Sequence, residues 1–351
     1  MARIVRIGLD TSKNLFQIHA VDETEQPVLR KQLRREGLIA FFKVLPPTLV
    51  GMEACGGSHH WAREISKLGH DVRLMPPQYA KAYRKRNKND AADAEALCEA
   101  VSRPTMRFVR PKGVEEQSAQ MLAGVREQLV RERTKLSNMI RGHAMEYGLT
   151  AAKGLRRLEV LLARIIADKT MPKMTKDLFA ILAQQYEAVV EVIADLERKL
   201  KAWHKSSAVS RRLAAIPGVG PIGAVLLTLK VPEAGDFSSG RKFASWLGLT
   251  PKDHSTAGKT RLGMITRAGD PTLRSVLVVG AMAVVCQAMR GRGKPSPWLR
   301  ALLERKAPKE AAVALANKMA RIAWKLMVSG ERFNPACVGM IKAKAPAAAM
   351  A

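Results

Sequence analysis

Four carboxylates carry the chemistry most legible in this sequence. Asp10 closes the alternating apolar run Ile7-Gly8-Leu9-Asp10-Thr11-Ser12-Lys13, and Glu53 ends a second, Leu49-Val50-Gly51-Met52-Glu53-Ala54. Asp90 and Asp93 lie three residues apart in Asn87-Lys88-Asn89-Asp90-Ala91-Ala92-Asp93-Ala94, where a helix is expected to begin. Two carboxylates at strand ends and an i, i+3 helical pair can converge on one point. Hard oxygen donors arranged in that way hold a divalent metal, Mg²⁺ or Mn²⁺, against a phosphodiester. In so basic a chain, such a cluster does not serve charge balance.

The elements that must position these groups follow from periodicity. Arg3–Asp10, Leu15–Val21 and Pro27–Leu33 read as three successive strands separated by polar turns. Gly37–Leu45 reads as a helix stopped by Pro46-Pro47, Thr48–Glu53 as a fourth strand, Ser58–Leu68 as a helix, and Val72–Met75 as a short fifth strand. That succession is the order of a ribonuclease-H-like core, in which the first and fourth strands are neighbours and bring Asp10 beside Glu53. Lys81, Arg84, Lys85, Arg86 and Lys88 then precede the aspartate pair. These cations are candidates for the phosphates that flank the reacting one; a solvated loop is the alternative.

The remainder is expected to be helical. Leu122, Leu129, Leu136 and His143 recur at heptad spacing, as do Leu182, Val189, Leu196 and Trp203, with Tyr186, Ile193 and Leu200 beside them. Paired seams suit an antiparallel or intermolecular coiled coil, or an ordinary helical bundle. A shorter helix, Leu155–Ile166, bridges the two. Ile216-Pro217-Gly218-Val219-Gly220-Pro221 has a helix–hairpin–helix pattern: Gly218 and Gly220 permit the tight turn, and the following helix offers free N–H groups to a phosphate. The polar loop Lys252–Arg261 holds Ser255, Thr256, Lys259 and Arg261. It reads as a phosphate-binding loop or a surface turn, and the G-x-x-x-x-G-K spacing is absent. Adjacency alone does not make His254 a base for either hydroxyl. Later helices are expected at 240–247, 271–289, 297–305 and 308–329, with a poorly ordered tail rich in Ala, Lys and Pro.

Composition narrows the partners. Lys plus Arg number 59 against 31 for Asp plus Glu in 351 residues, a formal net charge of +28. This points to a polyanion, nucleic acid before a membrane surface. The longest apolar run, Ser275–Cys286, falls short of the ~18–20 residues of a span and reads as a buried helix, so no membrane partner is expected. The start, Met1-Ala2-Arg3-Ile4, lacks signal-peptide anatomy. Cys55, Cys98, Cys286 and Cys337 are scattered, which suits a reducing cytoplasm and argues against structural zinc.

Taken in order, the motifs resemble those of the DEDD transposases of bacterial insertion sequences, the one-ten and eleven-eleven types, which are RNA-guided serine recombinases. The resemblance is carried by residues 7–13, 52–56, 88–94, Ile216–Gly220, Phe243–Pro251 and Ser255–Lys259. It implies a RuvC-like domain over residues 1–110 with Asp10, Glu53, Asp90 and Asp93 on Mg²⁺ (or Mn²⁺), and a coiled-coil oligomerisation domain over 111–205. A helical transposase domain would span 206–335, ahead of a flexible tail, 336–351. It further implies a nucleophilic serine that forms a phosphoserine link to DNA. Ser255 takes that position, and a one-residue shift would give it to Thr256. The resemblance also implies a site composed from different subunits, at least a dimer and in some assemblies a tetramer. Donor and target DNA and a non-coding guide RNA are the implied partners, in a nucleoid-associated cytoplasmic setting. Two other readings fit parts of the sequence. One is a junction-resolvase-like nuclease in which water attacks. The other is a non-catalytic nucleic-acid scaffold, which leaves the carboxylates unexplained.

Overall fold

The computed structural model describes residues 3–84, 89–231, 233–256, 258–293 and 295–334. Lys85, Arg86, Lys88, Cys337 and the tail lie outside them. The chain divides into two compact units, residues 1–117 and 118–351.

The first unit contains β1 (Arg6–Thr11), β2 (Leu15–Val21), β3 (Pro27–Arg34), α1 (Leu38–Lys43), β4 (Leu49–Glu53), α2 (Ser58–Ser66), β5 (Asp71–Met75), α3 (Pro77–Ala80) and α4 (Asp90–Ala100). The strands form one mixed sheet in the order β3-β2-β1-β4-β5, with β1, β2 and β3 antiparallel and β1, β4 and β5 parallel. This is the order read from the sequence. β1 is central and buried on both faces through Leu9. On one face Ile7 and Leu9 join Phe16, Ile18, Phe42, Trp61 and Ile65 in a continuous apolar core. Edge strand β3 carries Arg30, Lys31 and Arg34, charges that discourage a further strand from pairing there.

The second unit is helical apart from one hairpin. Its helices are α5 (Val114–Met145, which starts just before the boundary), α6 (Leu155–Ala167), α7 (Lys173–Ser206), α8 (Ala208–Leu213), α9 (Pro221–Lys230) and α10 (Gly240–Trp246). The hairpin β6 (Pro251–Asp253) and β7 (Leu262–Ile265) follows, then α11 (Pro271–Met289), α12 (Pro297–Leu303) and α13 (Pro308–Ser329). Pro221, Pro271, Pro297 and Pro308 each stand at a helix start, where a missing N–H costs nothing. Asp270 and Ser296 cap two of these starts.

α5 and α7 run antiparallel. Arg126 Nε donates to Glu197 Oε1 at 3.0 Å near one end, and Tyr147 Oη meets Thr175 Oγ1 at 2.9 Å at the other. The buried seam differs from the expected one. On α7 it is Tyr186, Ile193 and Leu200, and Leu182, Val189, Leu196 and Trp203 lie only partly covered. On α5 it is Leu136, Ile140 and Ala144, and His143 is exposed. Two neighbours select it: Leu158, Leu161, Leu162 and Ile165 of α6 pack with Leu136, Ile140, Ala144 and Tyr186, and Leu200 joins the core of the later helices.

Helix α11 extends the apolar run to 19 residues, long and apolar enough by composition to cross a membrane. It exceeds the run read from the sequence because its cap, Thr272, Arg274 and Gln287 flank the apolar centre. Leu273, Leu277, Ala281 and Val285 are fully buried in the helical core, where α11 packs on α13.

Candidate active site

Two glycines set the geometry of the carboxylates. Gly8 on β1 and Gly51 on β4 are register partners in the parallel pair, and each lies two residues before an acid. Together they make a flat floor under α4. A Cβ on Gly8 would meet the backbone of Ala94 and Cys98 and stand 2.8 Å from Cys98 Cβ; one on Gly51 would stand 2.7 Å from Val101 Cβ and 2.8 Å from Leu97 O. Only glycine allows this approach. Because side chains alternate along a strand, Asp10 and Glu53 project from the floor's own face at the strand ends. α4 answers with Ala94, Ala96 and Ala100, small residues that let it lie close. Asn89 caps α4, its side chain accepting from Ala92 N at 2.7 Å, and this starts the helix so that Asp90 and Asp93 occupy its first turn.

The four acids act on one another electrostatically. Burial, then the charges of Asp90 and Asp93, with a smaller push from Glu53, raise the Asp10 carboxyl to about 6. A divalent cation would relieve that repulsion, and four carboxylates are the oxygen donors such an ion prefers. The donor set therefore fits a metal. Convergence is nonetheless incomplete in this conformation: among the described residues no three His, Cys, Asp or Glu side chains stand close enough to share one ion. Arg84 is one reason. Its Nη1 stands 3.1 Å from Asp93 Oδ1, a positive charge already seated on one prospective ligand. Lys81 is exposed beside it. Thr11 Oγ1 and Cys55 Sγ, 3.5 Å apart, close the rim.

Ser255 sits where β6 leaves the hairpin. Its Oγ accepts from Arg261 N at 3.0 Å. Asp253 Oδ1 accepts from Ser255 N at 2.9 Å, and hydrogen bonds from the Ser255 side chain and backbone hold the Asp253 carboxyl below the usual range. The Asp253 carboxylate thus holds the Ser255 backbone, and the hydroxyl accepts from a backbone N–H. Thr256 instead spends its backbone on the turn, its carbonyl accepting from Lys259 N at 2.9 Å. Lys259 and Arg261 are exposed.

The hairpin protrudes, and its feet are clamped. Gly248 and Gly269 adopt left-handed φ of 70° and 69°. Arg274 Nη1 donates to Ala268 O at 2.6 Å and Leu247 O at 3.2 Å, and Asn317 Nδ2 to Leu249 O at 3.0 Å. Below them Lys230 Nζ stands 2.9 Å from Asp270 Oδ2 and 3.0 Å from Glu127 Oε2. Burial opposes charge on all three groups, yet their mutual bonds hold both carboxyls low and the ammonium high.

Gly218 is accounted for by packing: a Cβ there would stand 2.7 Å from Gly280 O on α11, and its φ is 89°. Gly220 is exposed with open space around it, at the start of α9. Sequence reasoning passed over Asp253, although Asp-x-Ser is an Asx-turn signature. It had no means of finding Lys230, Glu127 and Asp270, which lie on distant segments.

Comparison with known proteins accords with this arrangement. A family profile for DEDD transposases of the IS110 type, described as "Transposase", matches residues 7–148, and a second, described as "Transposase IS116/IS110/IS902 family", matches residues 210–301. The chain is 59% identical over 335 residues to "Putative transposase y4pF/y4sB" of Sinorhizobium fredii, covering 95% of this chain and 87% of the relative. It is 38% identical to "Transposase for insertion sequence element IS1111A" of Coxiella burnetii, covering 95% and 92%. It is also 38% identical to "Transposase for insertion sequence element IS1328" of Yersinia enterocolitica, covering 95% and 100%. With both halves matched in order and near-complete coverage of these relatives, the chain belongs to the IS110/IS1111 family of DEDD transposases, enzymes that cleave and join DNA.

Proposed function

We propose that this transposase cuts and rejoins DNA through a covalent phosphoserine at Ser255, with Asp10, Glu53, Asp90 and Asp93 as the metal-binding set. The observation that carries the reading is Ser255 on an exposed hairpin, its backbone N–H donating to the Asp253 carboxylate and its hydroxyl accepting from the Arg261 N–H. Ser255 Oγ forms a bond to phosphorus as the strand's P–O bond breaks. The serine proton passes towards Asp253, and the departing DNA hydroxyl takes up a proton. The phosphoserine ester retains the bond energy, so the strand rejoins without an external source.

Membership of a DEDD family implies divalent metal use. Mg²⁺ or Mn²⁺ bound by the four carboxylates would neutralise charge on the phosphate oxygens. For Asp93 to join that set, Arg84 must first leave it. A phosphate on the basic segment gives Arg84 another partner, which supports its assignment, with Lys81 and neighbouring Lys85, Arg86 and Lys88, to the DNA backbone.

Lys259, Arg261 and Gly220 are assigned to nucleic-acid contact by their exposure. Gly218 shapes the turn that presents Gly220. The antiparallel α5–α7 segment, within residues 111–205, is assigned to joining copies of the chain, since Met121, Met139, Met174, Leu178 and Ile181 are exposed on it. Copies so joined would contribute serine and carboxylates to a common phosphodiester. A guide RNA would share the basic surface and supply sequence choice by pairing. An enzyme working on DNA in this way would act at the bacterial nucleoid.

The test is a denaturing gel of labelled element-junction DNA incubated with protein, Mg²⁺ and RNA transcribed from the element's flanks. A protein-sized shift that survives denaturation and vanishes in Ser255→Ala is expected. Free cleaved ends without any adduct would assign the attack to water, and an adduct lost only in Thr256→Ala would move the nucleophile by one residue.

A further inference from the structure

We propose that the serine hairpin carries a pocket for one unstacked DNA nucleotide beside the attacked bond, formed by Lys252, His254, Met264 and Arg267. The proposal rests on the reading of Ser255 as nucleophile. Lys252, His254, Met264, Ile265, Thr266 and Arg267 line a concavity of about 280 Å³, room for a single nucleotide but not a duplex. No carboxylate is among them. Lys252, Arg267 and His254 therefore border one space whose exposed lining is chiefly apolar, which suits a base or sugar with its phosphate at the rim.

Two features give the pocket its shape. Gly263 lies under the His254 ring: a Cβ there would stand 3.4 Å from His254 Nε2 and Cδ2 and crowd the imidazole. Arg267 has φ of 58°, one of only two non-glycine residues in the left-handed region among those described. Its backbone is tied by Arg267 N donating to Gly248 O at 3.2 Å, next to Thr266 N donating to Thr250 O at 2.9 Å. Glycine would adopt this conformation more easily, as it does at 248 and 269. An arginine is held there at a conformational cost, on the border of the concavity. Met264 is 75% exposed, an apolar side chain that a sugar or base edge would cover. His254 directly precedes Ser255, so the concavity and the proposed nucleophile belong to the same hairpin, and a strand lying across it could place one nucleotide in the concavity and the next phosphate at Ser255.

Full-length Ser255→Ala protein, which needs no chemistry to be informative, would be irradiated with element-junction DNA bearing iodo-deoxyuridine. Crosslinked peptides would then be mapped by mass spectrometry. Crosslinks are expected in residues 251–267, centred on Met264. Adding Arg267→Gly should lower their yield about tenfold while leaving the melting temperature unchanged or higher. Undiminished crosslinking in the Arg267→Gly protein, or crosslinks that fall elsewhere, overturns the pocket, as does preferential crosslinking of this segment to iodouridine-bearing guide RNA. An adduct that survives Ser255→Ala removes the premise instead, and so separates failure of the nucleophile from failure of the pocket.

Discussion

At Asp10 the fold holds a carboxyl where its charge is unwelcome, since burial, Asp90 and Asp93 all oppose ionisation. The sign of the resulting pH dependence follows. The folded Asp10 carboxyl is pushed up to about 6 from its ordinary 3.8, so the fold favours the protonated form. Metal-free protein should therefore gain stability as pH falls through that window, and carry the full cost of the charge above it. The cost is at most about 2–3 kcal/mol, and less because the carboxyl keeps some solvent. Calorimetry in chelator should find Asp10→Asn melting a few degrees above wild type near neutral pH, without the wild type's rise on mild acidification, and inactive with metal restored. Arg84 gives a second expectation. It competes with metal for Asp93, so Arg84→Gln should tighten Mn²⁺ binding several-fold by isothermal titration, whereas unchanged affinity would make the ion pair irrelevant to metal loading. The acids themselves were legible because each closes an apolar run or opens a helix. The Arg84–Asp93 pair was not, because a basic loop does not announce which carboxylate a given cation will choose.

At the scale of elements, the contact between α4 and the sheet decides whether the acids meet. Gly8→Ala would force Cβ against the Ala94 carbonyl and Cys98, backbone atoms that cannot step aside, whereas Gly56 has open space around it. Gly8→Ala should cost about 1–3 kcal/mol or more and most of the activity, and Gly56→Ala neither, by thermal melting and the adduct assay. The feet of the hairpin depend on Lys230. Lys230→Met leaves Asp270 without its cation and Glu127 with Arg131 alone, 3.4 Å away, at a cost of about 3 kcal/mol. Hydrogen exchange should then quicken across 248–270 ahead of the α11–α13 core; uniform acceleration would mean that the triad serves the whole unit and not the hairpin. Strand order and helix positions could be read from alternation and proline starts. The α5–α7 seam could not, because the two α7 stripes, Leu182–Trp203 and Tyr186–Leu200, both repeat every seven residues and what docks on them chooses, α6 at Tyr186 and the C-terminal helical core at Leu200.

For the whole molecule the dominant quantity is the charge of +28. If six or more phosphates are neutralised, affinity for DNA or RNA should fall at least about a thousandfold between about 50 and about 200 mM salt. Fluorescence anisotropy would measure the slope, and a flat response would remove the backbone-contact assignment of the basic segments. Charge was readable from composition, and so was the succession of a mixed sheet and a helical half. The division at residue 117 falls inside α5, a few residues past the boundary at 110 expected from the sequence. The glycine floor of β1 and β4 also bears on how the enzyme comes into being. All five strands are complete by Met75, but the helix that covers Gly8 and Gly51 and delivers Asp90 and Asp93 ends only at Ala100. A growing chain on the ribosome thus carries a finished sheet with half its acids well before it can act. The metal-binding part of the site is withheld from the nascent protein until that helix has been made, and the proposed nucleophile, Ser255, is made later still.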